Sequence, residues 1–265
     1  MAYQIDYAYT SHVGRVRAKN EDNFWCCGKT LKSGKNGTDG ISFGSISQAR
    51  LPLLAVFDGM GGENCGEIAA KLASEACGAY YQKNRETGNQ EPETFFREIC
   101  STMNHQVCRY SEENRVGSMG TTAALLLFGA QATFACNLGD SRIYQVQDGM
   151  FRQISVDHVL DGGFYGKAPL TQYLGIPEEG MLLEPYVTRL DYTLGTRYLI
   201  CSDGVTDMLS DEEIGSILAL EIPVDETAEL LLERALEKGG KDNVTIVVCQ
   251  VGEVRKSLLR SWLAL

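Results

Sequence analysis

Apolar residues recur every three to four positions in three stretches of the chain, and that period marks amphipathic helices. Ile68, Ala69, Leu72, Ala76 and Tyr80 share a face in residues 64–83. Phe96, Ile99, Met103 and Val107 do so in 93–110, and Ala228, Leu231, Leu232 and Ala235 in 224–238. A shorter helix is expected after "LSDEEI", where Ser210 caps and Glu213 completes a capping box. Elsewhere the apolar residues form short blocks bounded by turn residues: "LLAVF", "TAALLLF", "ATFACNL", "RIYQVQ", "MFRQI", "RYLICS" and "NVTIVVCQV". These read as strands. Asp148-Gly149, between "RIYQVQ" and "MFRQI", predicts a type I′ hairpin. Strands joined by tight turns are antiparallel. The helices come in blocks rather than one after each strand, so the expected class is α+β, with helices covering antiparallel sheets. Residues 28–47, rich in Gly, Ser and Lys, read as a long surface loop.

The polar ends of the apolar blocks carry the chemistry. "LLAVFDGMGG" runs from a buried strand straight into Asp58, followed by Gly59, Gly61 and Gly62. A bare carboxylate at the edge of a core is costly unless something compensates it. The pattern recurs. Asp203-Gly204 ends "YLICSDG", Gly139-Asp140 follows "TFACNL", Asp242 precedes "NVTIVV", and Glu21 and Asp22 precede "NFW". One acid at a strand end is ordinarily a turn former. Several gathered at one end of a sheet could not all stay ionised without cations. Carboxylates and a carbonyl made accessible by glycine are hard oxygen ligands, suited to Mg²⁺ or Mn²⁺. Two such ions sharing a water are a standard device for phosphoester hydrolysis.

Composition narrows the partners. The 265 residues carry a net charge of −11, which repels phosphate backbones, so nucleic acid is not expected as a partner. The nine cysteines lie mostly in apolar runs and lack Cys-x-x-Cys spacing, so they read as small core residues of a reducing, cytoplasmic compartment and not as zinc ligands. No apolar run has transmembrane length, and "MAYQIDYAYT" lacks the features of a signal peptide. A domain is expected over residues 1–254, with 255–265 ("RKSLLRSWLAL") as a basic amphipathic tail. A monomer is expected.

"RAKNEDNF", "AVFDGMGG", "GTTAALLLF", "NLGDSRIYQV", "LICSDGVTDML" and "GGKDNVTIVV" resemble, in order and over residues 10–251, the motifs of the metal-dependent (PPM, type 2C) Ser/Thr protein phosphatases. "DGMGG" in place of the animal "DGHGG" points to the bacterial branch. The resemblance implies an α-β-β-α sandwich of two antiparallel sheets flanked by helix pairs, and a binuclear Mn²⁺ or Mg²⁺ site. It implies that Asp58 bridges both ions, Gly59 offers its carbonyl, Asp203 and Asp242 bind one ion, and Glu21 holds a water on the other. Asp140 matches an acid that joins Asp203 in a third, weaker site. A bland reading is equally open, in which Asp140 and Arg142 pair with backbone or with each other. Arg17 matches the arginine that grips substrate phosphate, with Arg15 as its local competitor. The implied reaction is hydrolysis of phosphoserine and phosphothreonine, on proteins modified by a Ser/Thr kinase, by a metal-bridging hydroxide. The alternative is a phosphoprotein-binding regulatory module with little turnover. Met60 leaves no side-chain acid where animal members place a histidine, and Glu63 stands where bacterial members often carry one. His105 and His158 read as structural. The segment "DHVLDGGFYGKAPLTQYLG" is shorter than the flap of bacterial relatives.

Overall fold

The structure, a computed structural model, describes residues 3–61, 65–85, 91–160, 162, 167–177 and 182–254. The tail 255–265, Glu63 and part of the flap segment lie outside the described residues. Two antiparallel sheets form the centre. The six-stranded sheet runs β10 (Met150–Gln153), β9 (Arg142–Gln147), β12 (Arg197–Cys201), β13 (Val244–Glu253), β1 (Tyr3–His12) and β3 (Ser42–Ser47). The five-stranded sheet runs β11 (Tyr186–Asp191), β8 (Ala132–Leu138), β7 (Ala123–Phe128), β4 (Leu53–Phe57) and β2 (Asn23–Cys26). A small ribbon pairs β5 (Gly59–Gly61) with β6 (Met119–Thr121).

Strand alternation sorts the core into layers. Leu54 and Val56 of β4 meet Tyr198, Ile200, Val247 and Cys249 between the sheets. Leu53, Ala55 and Phe57 face the opposite way, onto α1 (Cys65–Asn84) and α2 (Pro92–Asn114). On the other sheet Val244, Ile246 and Val248 pack against α4 (Asp211–Leu218) and α5 (Val224–Glu237). The expected four-layer sandwich is therefore present. So is the capping box of α4, with Ser210 and Glu213 bonded reciprocally. The Asp148-Gly149 hairpin has positive φ at both turn residues, 51° and 76°.

Two expectations are corrected. Residues 28–47 are not all loop, because Ser42–Ser47 form β3 on the sheet edge against β1. Their side chains alternate between half-buried and exposed, and a Gly/Ser-rich edge strand has too few apolar residues to announce itself. The buried face of α1 is also turned from the expected one. Ala69, Ala73, Cys77, Gly78 and Tyr81 are buried, whereas Ile68, Leu72, Ala76 and Tyr80 are only partly buried. The small residues allow close approach to the sheet, most of all at Gly78, where a Cβ would lie 2.1 Å from the Trp25 ring.

Candidate metal centre

Asp58 lies between β4 and β5, after five fully buried apolar residues. Its backbone is held rigidly. Its N–H donates to Thr122 Oγ1 (3.0 Å), and its carbonyl accepts from the Thr122 N–H and Thr121 Oγ1 (both 2.9 Å). The next residue must be glycine. A Cβ on Gly59 would lie 2.2 Å from the Gly66 carbonyl oxygen and 2.4 Å from that of Glu21. That close approach ties the Asp58 turn to Glu21 and to the first turn of α1.

Asp203 opens the single-turn helix α3 (Asp203–Thr206) after β12, and Asp242 immediately precedes Asn243 and β13. β12 and β13 are paired, so these two strand ends are neighbours. A Cβ on Gly204 would lie 1.8 Å from the Asn243 carbonyl oxygen, so only glycine lets the ends meet. Asn243 then joins them to Glu21. Its Oδ1 accepts from the Glu21 N–H (2.8 Å), and its Nδ2 donates to the Val13 and Lys19 carbonyls (2.9 and 2.8 Å). Beneath lies Asp22, only 2% exposed, accepting from Ser202 Oγ at 2.7 Å. Arg17 is not free in this arrangement, since its Nη2 donates to Asp242 Oδ2 at 2.6 Å. Arg15 donates its backbone N–H to the Gly240 carbonyl.

Asp140 sits in the β8–β9 turn. His158 braces that turn, accepting the Gly139 N–H at Nδ1 (3.2 Å) and donating its own N–H to the Gly139 carbonyl (3.0 Å). His105, by contrast, is exposed on α2. Asp140 and Arg142 do not pair with each other. Arg142 grips Asp157 through Nε (2.9 Å) and Nη2 (2.7 Å). Asp140 instead faces the Lys167 ammonium at 3.3 Å, and that same ammonium forms an ion pair with Asp203.

The electrostatics follow from the crowding. Burial, reinforced by the charges of Asp140, Asp242 and Glu21, pushes the Asp58 carboxyl up to about 7, while Lys167 opposes the rise. Burial also raises Asp22 well above the usual carboxylate range, with Asp58 adding to it. Burial raises Glu21 too, partly offset by Arg17. Burial lowers Lys167, but Asp140, Asp58 and Asp207 outweigh it and hold the ammonium above its usual range. The site thus favours positive charge, and one lysine already answers it. Among the described residues no three acidic, Cys or His side chains converge into a ready-made cage. The donors are nonetheless all oxygen, and carboxylates raised by burial and by their mutual repulsion suit a hard divalent cation. Asn243, Thr122 and Lys167 lie around the site outside the strand-end pattern, and Asp22 belongs to that pattern but was given no role. Asp22 was visible beside Glu21, but Lys167 lies in a glycine-rich loop with no periodic signal.

Residues 29–243 match the sequence profile of the protein phosphatase 2C family. The chain belongs to the protein phosphatase 2C family. It is 31% identical over 258 residues to the serine/threonine protein phosphatase PstP of Mycobacterium tuberculosis, covering 93% of this chain and 45% of that protein. The chain therefore spans about half the length of that curated relative. It is 27% identical to the serine/threonine phosphatase stp of Listeria welshimeri, over 92% of this chain and 94% of that one. Among solved structures, the catalytic domain of PstP in complex with two manganese ions superposes with a TM-score of 0.75 and 30% identity. It covers 96% of this chain and all of that one. The 2C-type fold and the antiparallel sandwich described above agree.

Proposed function

We propose that the chain is a metal-dependent protein serine/threonine phosphatase. The observation that carries this reading is the gathering of Asp58, Asp203, Asp242 and Glu21. They are far apart in sequence, and the glycine contacts at Gly59 and Gly204 together with Asn243 bring them to one end of the sandwich. The PstP domain holding two manganese ions supports a divalent pair here as well. Asp58, the Gly59 carbonyl, Asp203 and Asp242 would hold the ions, with Glu21 reaching one through water.

When bound, the ions would supply Lewis acidity toward the phosphoryl oxygens and would lower the pKa of a water at the site. The chain's own residues do the rest. Thr121 and Thr122 fix the Asp58 backbone, so little reorganisation is needed at the reaction. The Arg17 fork, 52% exposed and aimed at Asp242, exchanges that carboxylate for two oxygens of the substrate phosphate. Met60 offers no proton, so the departing serine or threonine oxygen takes its proton from water. The substrates are phosphorylated proteins made by a Ser/Thr kinase, and the setting is cytoplasmic, with the chain a monomer.

The deciding experiment measures hydrolysis of an aryl phosphate and of a phosphothreonine peptide with Mn²⁺, with Mg²⁺ and with excess chelator. Turnover with a divalent ion that chelator abolishes is expected. Full turnover in chelator would overturn the metal reading. Tight phosphopeptide binding without turnover under every metal would favour the non-hydrolysing module.

A further inference from the structure

Lys167 is the unexplained charge in this site. Its ammonium lies 3.3 Å from Asp140 and ion-pairs with Asp203, the two acids that the family resemblance assigns to a third metal position. The residues just after Lys167 are tied to the segment that follows the β8–β9 turn. Leu160 N–H donates to the Pro169 carbonyl (2.9 Å), Thr171 N–H donates to the His158 carbonyl (2.8 Å), and Val159 bridges Leu170. His158 in turn clamps Gly139, the residue before Asp140. One hydrogen-bonded assembly therefore carries both the acid and, two residues before Pro169, the lysine.

We propose that Lys167 is a tethered cation that takes the third metal position, leaving this phosphatase a two-ion enzyme. The inference rests on the phosphatase reading above. An ammonium is a compact point charge with three donors, able to satisfy two carboxylates at once. It brings one positive charge where a divalent ion would bring two, and it brings no coordinated water. Two cations cannot share that space, because their repulsion at contact distance is large even in a partly solvated site. Lys167 thus acts as a positioning residue. It holds Asp140 and Asp203 in place and competes with a third ion for the position beside the metal pair.

The test is a Mn²⁺ titration of the whole chain, reading free Mn²⁺ by its paramagnetic resonance signal. The wild type should bind two ions. Lys167→Met should bind a third, roughly tenfold or more tighter than any third ion on the wild type, as expected for removing one adjacent unit charge. Lys167→Arg should stay at two. Asp140→Asn placed on Lys167→Met should remove the third ion again. Circular dichroism checks folding, and Lys167→Gln repeats the comparison if the Met variant does not fold. A third ion bound equally by wild type and by the neutral variants overturns the proposal, as does a neutral variant that still holds only two. A wild type that binds no Mn²⁺ fails differently, because it overturns the metal-site reading beneath.

Discussion

Asp58 is held through its backbone by two threonines while its carboxyl is driven up by burial and by its acidic neighbours. Such a side chain is set for a cation and is expendable to the fold. Asp58→Asn should therefore abolish nearly all turnover, on the order of a 10³-fold loss in kcat, because in the proposed centre this one side chain would serve both ions. The variant should be at least as stable as the wild type in chelator, since a repelled carboxyl has been neutralised. Steady-state kinetics and thermal melts on the same preparation check both halves. Near wild-type kcat in a folded variant would remove Asp58 from the centre. Arg17 makes the opposite case. It is half exposed, so its pairing with Asp242 contributes at most about 1 kcal/mol to stability. Arg17→Ala should raise KM for a phosphopeptide with little change in Mn²⁺ affinity. Lysine at that position should rescue only partly, because a point charge lacks the guanidinium fork. An unchanged KM would move the phosphate grip to Arg15.

Helix α1 shows how far periodicity reaches at the scale of elements. Its helical period was plain in the sequence, but its buried face was not. The large apolar residues Ile68, Leu72 and Tyr80 mark a partly buried flank packed on the same core, while the most deeply buried stripe runs through Ala69, Ala73 and Gly78. Gly78→Ala should accordingly overpack the contact with Trp25, where the new Cβ would lie 2.1 Å from the ring, and cost about 1–3 kcal/mol. Urea unfolding would show a lower midpoint with unchanged slope, and an unchanged midpoint would mean that the helix shifts freely. The strands β7, β8, β9 and β12 were legible because each is a dense apolar block between turn residues. Edge strand β3 was not, because half of its positions face solvent and its Gly/Ser composition mimics a loop. The acids of the proposed metal centre stand out in the sequence for a related reason. A charge abutting a buried block violates the local pattern, and such violations mark functional sites. Lys167, Asn243 and Thr122 obey every local rule, and only the three-dimensional arrangement assigns them.

At the scale of the molecule, a chain of net charge −11 concentrates its most strained carboxylates at one end of the sandwich. This links stability, pH and metal. Asp58 titrates near 4 when unfolded and at about 7 when folded without metal. Between those values the folded chain holds the proton more tightly than the unfolded one. Stability from this group is thus fully present below about pH 4 and falls as pH rises toward 7. Asp22 and Glu21 shift in the same direction, for the same reason of burial. In chelator, the melting temperature should therefore decline between about pH 5 and pH 7 and level off above it, by an amount on the order of a few kcal/mol in stability. Mn²⁺ bound at the proposed centre would reverse the sign of the argument, because it would take the ionised acids and displace their protons. The gap in melting temperature between Mn²⁺ and chelator should widen steadily across that window. In Asp58→Asn the gap should be small at every pH. Differential scanning at pH 5, 6, 7 and 8, with and without metal, measures it directly. A wild-type gap that stays constant with pH would mean that the protons on these buried acids and the metal do not compete for the same oxygens.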